Sequence, residues 1–464
     1  MKRCGIIGLA AVLGLFLLAA AHAGDWARFR GPNGSGISAD AQPGPVTWSE
    51  TENLKWKIDL PGPGASSPIV VGDRVFVTCW SGFATQRGNP GEQKDLRRHL
   101  VCIDRQTGKT LWNQSVEPVL PEDPYSGTFT EHGYATHTPV SDGQRVYVFF
   151  GKTGVLAFDL DGKKLWQKGV GTESGAMGWG SASSPILYKT LLIVPATAES
   201  ESLVALNKDT GQEVWRSEAA GFSGTWGSPV LVDCGGGRTD LVLAVPQEIW
   251  GFNPEDGKLR WHCEGIPSDS MCSSVVAHEG IVYGMESGPR GGGTIAVRAG
   301  GSGDVTKTHV VWKGRDRSRI ATPIFHDGRL YWINARVVSC VDAKTGERVS
   351  EQRLGGASAE PSAPPSRGPG SGPGGGPGRG GRPGRGGGGG QDYSSAVVAD
   401  GKLYYFTRSG DGYVLKLGKE FAELARNRFA SDDSDFTASP AISNGELFVR
   451  STKRLYCVVP AKRG

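Results

Sequence analysis

Residues 102–112 read Cys-Ile-Asp-Arg-Gln-Thr-Gly-Lys-Thr-Leu-Trp, and variants of this phrase return along the chain. A near copy occupies 205–215, a copy one residue shorter occupies 157–166, and altered copies occupy 251–261 and 340–346. Asp or Asn caps a tight turn, Gly accepts the positive φ that such a turn needs, and a strand follows. The chain is therefore predicted to consist of repeated antiparallel strands.

A second phrase, a small residue followed by Pro or by another small residue, opens each repeat. It occurs eight times, and most copies are separated by about 45 residues. Its last residues are Pro68, Pro139, Pro185, Pro229, Val275, Pro323, Ala396 and Pro440. Because a four-stranded propeller blade has this length, we predict an all-β, eight-bladed β-propeller of four-stranded antiparallel blades.

The two ends of the repeat region complement each other. The eighth unit stops near Val459 without a fourth strand, whereas Asn53–Ile58 is a strand that precedes the first opening phrase. We predict that this N-terminal strand completes the last blade and closes the ring, which removes the exposed edges. The propeller domain then covers 53–464, and 24–52 is an N-terminal extension.

Composition and the N-terminus exclude several classes of protein. With 71 Gly and 28 Pro in 464 residues, the chain is a poor candidate for a helical bundle. Residues 1–23 have a basic start, an apolar run at 5–20 and an A-x-A cleavage site at 21–23, the pattern of a signal peptide. The run is shorter than the roughly 20 residues of a membrane span. We expect an exported chain, periplasmic or extracellular, without a transmembrane segment after cleavage.

Charge gives little information about a partner. The whole chain has 51 basic and 47 acidic residues. Removal of Lys2 and Arg3 with the predicted signal peptide leaves the two kinds nearly balanced. We therefore expect no nucleic-acid partner, although the Gly, Pro and Arg-rich stretch 355–391 has a composition that can bind RNA. This stretch has little apolar surface to bury and is predicted to be a disordered insertion. The polar insertions at 81–98 and 113–133 are expected to be ordered on one face of the ring.

Most Trp and Cys residues have a structural explanation. The Trp residues of the repeated strands are predicted to pack between blades; they are Trp56, Trp112, Trp166, Trp215, Trp261 and Trp312. Cys102, Cys340 and Cys457 occupy a slot that other repeats fill with Ala, so they are predicted to be small buried residues. Cys263 and Cys272 are close in sequence, and in an oxidising compartment they are candidates for a disulfide.

Residues just before the opening phrases are expected to meet at one end of the central channel, because equivalent positions of a propeller lie at the same height. This predicted mouth comprises His137, Trp179, Trp226, Asp269, Arg319, Asp392, Tyr393 and Asp435. Aromatic faces and charges in one cavity can hold a planar or anionic ligand. The alternative is a polar rim that only binds water.

The repeated phrases resemble the pyrrolo-quinoline quinone (PQQ) repeat, over about residues 53–460. Residues 25–34, Asp-Trp-Ala-Arg-Phe-Arg-Gly-Pro-Asn-Gly, are similar to the start of secreted PQQ-like propellers of planctomycete-type bacteria. The resemblance implies an eight-bladed propeller and two branches of function. One is the noncatalytic scaffold of the BamB type, and the other is the PQQ-dependent alcohol or sugar dehydrogenase, which also needs Ca²⁺.

Residue by residue, the dehydrogenase branch is poorly matched. The disulfide of two adjacent cysteines that covers PQQ in alcohol dehydrogenases is missing, and so is a C-x-x-C-H haem motif. Ca²⁺ takes oxygen ligands, and the dense carboxylate cluster near the mouth is Asp432, Asp433 and Asp435. No catalytic residue can be assigned.

We therefore expect a noncatalytic binding or scaffold module of the cell envelope that works as a monomer and without a cofactor. Its partner would be an envelope or secreted protein, or a small ligand. Two alternatives stay open: a PQQ- and Ca²⁺-dependent alcohol or sugar dehydrogenase, and a module that binds carbohydrate or another small ligand at the channel mouth.

Overall fold

Strand pairing follows the repeated phrases. A computed structural model of the protein describes residues 24–40, 42–85, 89–288, 291–355 and 391–461. Its strands form eight antiparallel sheets of four strands around a central channel, and one sheet carries a short fifth strand. The predicted all-β, eight-bladed propeller is confirmed. Residues 1–23, the predicted signal peptide, and residues 356–390 of the predicted insertion lie outside the described residues.

Each blade consists of four strands, labelled A to D from the strand that follows the opening phrase at the channel to the outer edge. Blade 1 has Ile69–Val71, Arg74–Ser81, Arg97–Asp104 and Thr110–Val116. Blade 2 has Val140–Ser141, Arg145–Phe149, Val155–Asp159 and Lys164–Lys168. Blade 3 has Ile186–Tyr188, Leu191–Ala196, Ser202–Asn207 and Glu213–Glu218. Blade 4 has Val230–Asp233, Thr239–Val245, Glu248–Phe252 and Leu259–Glu264, with Gly303–Asp304 added in parallel.

The second half of the ring repeats the pattern. Blade 5 has Val276–His278, Ile281–Gly288, Gly291–Arg298 and Val310–Gly314. Blade 6 has Ile324–His326, Arg329–Asn334, Val337–Asp342 and Arg348–Arg353. Blade 7 has Val397–Ala399, Lys402–Phe406, Gly412–Lys416 and Ala422–Asn427. Blade 8 has Ala441–Ser443, Glu446–Arg450, Arg454–Val458 and Leu54–Asp59. The described helices are the short α-helix Thr306–His309 and 3₁₀ turns at Pro32–Gly34, Gln93–Asp95, Gly127–Glu131, Gly151–Thr153 and Ala220–Phe222.

The N-terminal strand closes the ring, as predicted. Leu54–Asp59 pairs antiparallel with Arg454–Val458 and becomes strand D of blade 8. In the register of this pair Trp56 lies opposite Cys457. Because the two ends of the propeller domain share one sheet, the last blade keeps no unpaired strand facing a gap in the ring.

A β-bulge and a Trp recur on the outer strands. In blade 1 Trp112 lies opposite the small residue Cys102, and the register shifts immediately beside this pair. The indole NH of Trp112 donates to the carbonyl of Leu160 in the turn of blade 2, and its ring lies over Gly162 of that turn. Trp56, Trp166, Trp215 and Trp312 repeat both contacts with the next turn. Trp261 differs, because its indole donates to Asp240 within its own blade.

The N-terminal extension crosses the face of the ring opposite the predicted mouth, here called the lower face. Trp26 pairs with Val70 of blade 1, and Ser38 donates its NH to the carbonyl of Val398 in blade 7. Between them Arg30 is fully buried and donates to carbonyls of blades 6 and 7. Phe29 reaches the central cavity from below. The extension therefore covers the lower end of the channel.

All seven cysteines after residue 23 are free thiols. The proposed pairing of Cys263 with Cys272 is wrong in this structure: Cys263 is buried within the core of blades 4 and 5, whereas Cys272 lies at the channel. Cys102, Cys340 and Cys457 are completely buried, as expected for small packing residues. Among the described residues no helix has the length and apolar character required to cross a membrane.

Candidate functional site

A ring of hydroxyl groups surrounds the channel. It is formed by one Ser or Thr from each opening phrase: Ser67, Thr138, Ser184, Ser228, Ser274, Thr322, Ser395 and Ser439. For seven neighbouring pairs the backbone NH of one blade donates to the hydroxyl oxygen of the next at 2.8–3.1 Å. Because each of these oxygens only accepts in that bond, its own hydrogen can still be donated to a ligand.

Above this hydroxyl ring the channel widens into the mouth cavity. Trp179 and Trp226 pack against each other there, with ring centroids 4.8 Å apart. The Arg319 guanidinium lies 5.8 Å from the ring centroid of Trp179, and Tyr393 lines the cavity beside it. The cavity, including its opening to solvent, has a volume of about 1000 Å³.

One side of the mouth is built by the blade 1 insertions. An aromatic cluster holds their loops together, with Phe129 and Tyr134 at 4.9 Å and Trp80 and Tyr134 at 6.0 Å between ring centroids. The cluster places Glu131 and His132 on the cavity wall. The predicted ordered decoration of one face is therefore present here.

His132 is held as a neutral imidazole. Its Nε2 lies 2.8 Å from the carbonyl oxygen of Trp179, so Nε2 carries the proton, and Nδ1 accepts from the Thr136 hydroxyl at 2.9 Å. Burial lowers the pKa of His132 below its ordinary value. The ring therefore positions the backbone of Trp179 and adds no positive charge to the cavity at neutral pH.

Arg408 links three parts of the rim. Its Nε and Nη2 donate to Asp435 of the blade 8 loop at 2.9 and 2.7 Å, and its Nη1 donates to Glu131 of the insertion. Burial opposes the charged form, but the bonds to Asp435 and Glu131 outweigh it and raise the pKa of Arg408. The guanidinium also lies 5.8 Å from the ring centroid of Tyr393. Glu131 and Asp435 thus share one cation, and the three side chains together keep one negative charge.

The channel carries positive charge without matching carboxylates at both ends. Among the described residues Arg319 at the mouth has no acidic side chain within ion-pair distance. At the lower end Arg30 donates only to carbonyl oxygens, and burial lowers its pKa to about 9. Charges that lack a partner in a recessed site attract anions.

A second depression adjoins the mouth cavity over blades 5 to 7. We call it the arginine groove, after Arg319, Arg336, Arg353 and Arg408, which line it. Arg319 lines both the cavity and the groove, so the two lie next to each other on the mouth face.

The predicted mouth residues are divided among these features. Trp179, Trp226, Arg319 and Tyr393 line the cavity. Asp392 and Asp435 lie in the arginine groove, where Asp392 accepts from the Tyr405 hydroxyl and from the backbone NH of Arg408. The side chain of Asp269 lines neither feature.

His137 lies beneath the cavity rather than in its wall. Its Nε2 is 2.9 Å from the Ser181 hydroxyl, which also bonds the buried Glu199 carboxyl. Burial lowers the pKa of His137 to about 3 and raises that of Glu199 to about 7. A protonated Glu199 can donate to Ser181, whose own hydrogen then goes to the neutral imidazole. The trio is a buried hydrogen-bonded network below the site, in which the Oε2 atom of Glu199 has no partner among the described residues.

Sequence reasoning did not place Arg408, Glu131, His132 and Cys272 in the mouth. Glu131 and His132 belong to an insertion that has no counterpart in the other repeats. Arg408 lies in a loop between strands B and C, and such loops share the mouth face with the opening phrases. Its position just after strand B of blade 7 could have placed it on the mouth face.

The comparisons with known proteins agree with this architecture. A family model described as outer membrane protein assembly factor BamB matches residues 81–232 and 196–420, which together are more than half of the chain. The chain belongs to the BamB family of PQQ-like propellers. The predicted resemblance to PQQ-like repeats is thereby confirmed.

Relatives of this BamB-family chain include proteins named as enzymes. The polyvinylalcohol dehydrogenase of a Pseudomonas species is 25% identical over 344 residues, which cover 54% of this chain and 52% of that protein. The chain therefore spans about half the length of this relative.

Solved structures show the same fold. BamB from Moraxella catarrhalis matches with a TM-score of 0.56 at 10% identity, over 89% of this chain and 98% of that one. A europium-containing methanol dehydrogenase matches with a TM-score of 0.60 at 11% identity, over 94% and 98%. At these identities the likeness concerns the fold alone.

The predicted carboxylate cluster of this BamB-family chain does not form a binding site for the metal ion that accompanies PQQ in dehydrogenases. Asp432 is buried and bonds the hydroxyls of Ser451 and Tyr456, whereas Asp433 is exposed and pairs with Lys453. Asp435 is bound by Arg408, so the three predicted carboxylates do not converge. Within the described part of the chain no group of three or more His, Cys, Asp or Glu side chains is arranged to hold a metal ion. The described carboxylates around the mouth cavity therefore do not fit Ca²⁺.

Proposed function

We propose that this protein is an exported, noncatalytic binding module, and that its ligand is a small molecule with one flat face and at least one negative charge. The observation that carries this proposal is Arg319, which lies beside the Trp179 ring and has no acidic side chain within ion-pair distance among the described residues, although it acts from farther away on the buried Glu286 carboxyl. Trp179 and Trp226 would contact the flat face, Arg319 the anionic group, and the hydroxyl ring the polar edge.

The distribution of carboxylates supports binding over oxidation of an alcohol. Glu131 and Asp435 share Arg408, and Asp392 accepts two hydrogen bonds. A carboxylate committed to such partners is a poor general base and a poor metal ligand. The competing function, a PQQ-dependent dehydrogenase, draws its support from the relative named polyvinylalcohol dehydrogenase.

The test is calorimetric titration of the mature chain, residues 24–464, with PQQ and with galacturonate, each with and without Ca²⁺. Neutral galactose is the uncharged control ligand. We expect the anions to bind without Ca²⁺ and to raise the melting temperature, and galactose to bind at least tenfold more weakly, since an ionic hydrogen bond is lost.

The variants Trp226→Leu and Arg319→Gln should each weaken anion binding about tenfold or more. Arg298→Gln is the matched control, because Arg298 is exposed at the end of strand C away from the mouth. Binding that requires Ca²⁺, together with oxidation of alcohols by a dye-linked assay, would establish the dehydrogenase instead. No binding of either anion would refute the proposed site, and the search would turn to an envelope protein partner.

A further inference from the structure

The arginine groove contains more positive charge than its neighbours neutralise. Among the described residues neither Arg336 nor Arg353 has an acidic side chain within ion-pair distance, and the same holds for Arg319. The groove is lined by four arginines and two carboxylates, Asp392 and Asp435, and Arg408 also pairs with Glu131 of the mouth cavity. Four positive charges therefore face three negative ones, which leaves an excess of one positive charge. Surfaces usually mix both signs of charge, so this excess favours an anionic ligand.

The backbone presents two of these arginines side by side. Arg353 lies in strand D of blade 6 opposite Val337, and the NH of Leu354 donates to the carbonyl of Arg336 at 2.8 Å. Arg336 itself stands in the two-residue turn between strands B and C, where Ala335 and Arg336 both have positive φ, 48° and 61°. Such turns favour Asn-Gly, and a residue with a Cβ is disfavoured there. The pair of arginines is therefore fixed by strand pairing and not by a loose loop.

The remaining lining is hydroxyl and amide in character. Ser287, Asn334, Gln391, Thr407 and Ser409 contribute it, and Ala335 is the largest apolar residue of the lining. This composition suits a ligand with many hydroxyl groups and excludes lipid chains and aromatic peptides as good occupants. With its opening to solvent the groove measures about 1900 Å³, nearly twice the about 1000 Å³ of the mouth cavity. It therefore has room for more than one small unit.

We propose that the arginine groove binds an acidic oligosaccharide whose terminal sugar lies in the mouth cavity. The terminal unit would place its ring on Trp179 and Trp226 and its charge on Arg319, which both depressions share. The following units would place their carboxylates or sulfates on Arg336 and Arg353 and their hydroxyls on the polar lining. This inference rests on the proposed function for the terminal unit and adds the substrate class and a second subsite.

The experiment compares chain lengths on the mature protein. Galacturonate, tetragalacturonate, a neutral tetrasaccharide and a sulfated tetrasaccharide are titrated calorimetrically at 50 and 300 mM salt. We expect tetragalacturonate to bind at least tenfold more tightly than galacturonate, and added salt to weaken the tetramer more than the monomer. The sulfated compound distinguishes the source of the negative charge, since tighter binding of it assigns sulfates and not carboxylates to the groove.

The double variant Arg336→Ser with Arg353→Ser should bind tetragalacturonate about tenfold or more weakly than wild type does. Its affinity for galacturonate should be unchanged. Both side chains are exposed, so folding should be intact, and melting curves verify it. Arg298→Ser, on the opposite face, is the matched control and should bind both ligands as wild type does.

The outcomes separate the two proposals. If galacturonate binds through Trp226 but the tetramer gains nothing, or gains as much in the double variant, the groove is not a subsite and the proposed function stands. If the neutral tetrasaccharide binds as tightly as tetragalacturonate, the groove does not recognise negative charge and the inference is wrong. If single-stranded oligonucleotides bind more tightly than every sugar acid, the groove binds phosphodiesters and the inference is wrong. If no acid of any length binds, both proposals fail.

Discussion

Replacement of Arg30 by Met should loosen the N-terminal extension from the lower face. The Arg30 side chain is fully buried and donates to four carbonyl oxygens, those of Gly34, Ser35, Pro323 and Ala396, at 2.8–3.3 Å. Two of these bonds stay within the extension, and two join it to blades 6 and 7. Met has a similar length and no donor, so it removes the bonds while it largely fills the space.

The expected cost comes from the two bonds that join the extension to blades 6 and 7, because the other two stay within the extension. A hydrogen bond from a charged group contributes about 1.5 kcal/mol net of desolvation, so these two contribute about 3 kcal/mol. Their loss raises the population of the detached extension about a hundredfold.

Limited proteolysis with chymotrypsin measures this population, because cleavage beside Trp26 or Phe29 requires a detached extension. The initial cleavage rate of Arg30→Met should exceed that of wild type about a hundredfold. Arg28→Met is the matched control, since Arg28 makes a single bond, to the carbonyl of Pro229 at 3.2 Å, and should change the rate far less. Equal rates for Arg30→Met and wild type would refute the account of the extension as a cover held by Arg30.

Two further predictions concern packing and pH. Gly162→Ala should lower the free energy of unfolding, measured with urea, by about 1 kcal/mol because the position has a positive φ. It should lower it by a further amount of about 1–3 kcal/mol because a Cβ would lie 2.8 Å from the Trp112 ring. Gly143→Ala is the control, since Gly143 has a similar φ and open space around it, and it should show only the first loss. Burial raises the pKa of Glu199 to about 7, above its unfolded value, so its neutral form stabilises the fold fully below about pH 4.5, and this stabilisation is lost as pH rises through 7. Relative to Glu199→Gln, wild type should therefore lose about 3 kcal/mol between pH 4.5 and 8, and a constant difference across this range would contradict the assigned protonation.

Much of the fold could be predicted because its decisive contacts repeat. The turn Gly, the small residue of strand C and the Trp of strand D recur in register, and in blade 1 they are Gly108, Cys102 and Trp112. Each copy predicts the same local pairing, so several weak signals combine into one architecture. Ring closure followed from one missing strand at each end. The N-terminal extension could not be placed, because its anchors join Arg30 to residues almost 300 and more than 360 positions away.

The candidate site was predictable only where it too is repeated. Trp179, Trp226, Arg319 and Tyr393 precede their opening phrases, and the symmetry of the ring brings them to one cavity. His137 has the same sequence position but lies below the cavity, because its imidazole bonds Ser181. Glu131 belongs to an insertion, and its partner Arg408 lies 277 positions away in the sequence. The repeat pattern therefore predicts neither residue as part of the site.

The covered lower end changes what the channel can do. Because Phe29 reaches the cavity from below and the extension crosses the lower face, the described residues place the opening for a ligand at the mouth face. The buried Arg30 beneath the floor and Arg319 at the rim both favour an anion, so the charge of the ligand is attracted along the whole depth of the cavity. A neutral ligand gains nothing from either charge, whereas an anion gains from both. The electrostatics of the extension and of the mouth therefore select the same class of ligand, although the two segments are far apart in sequence.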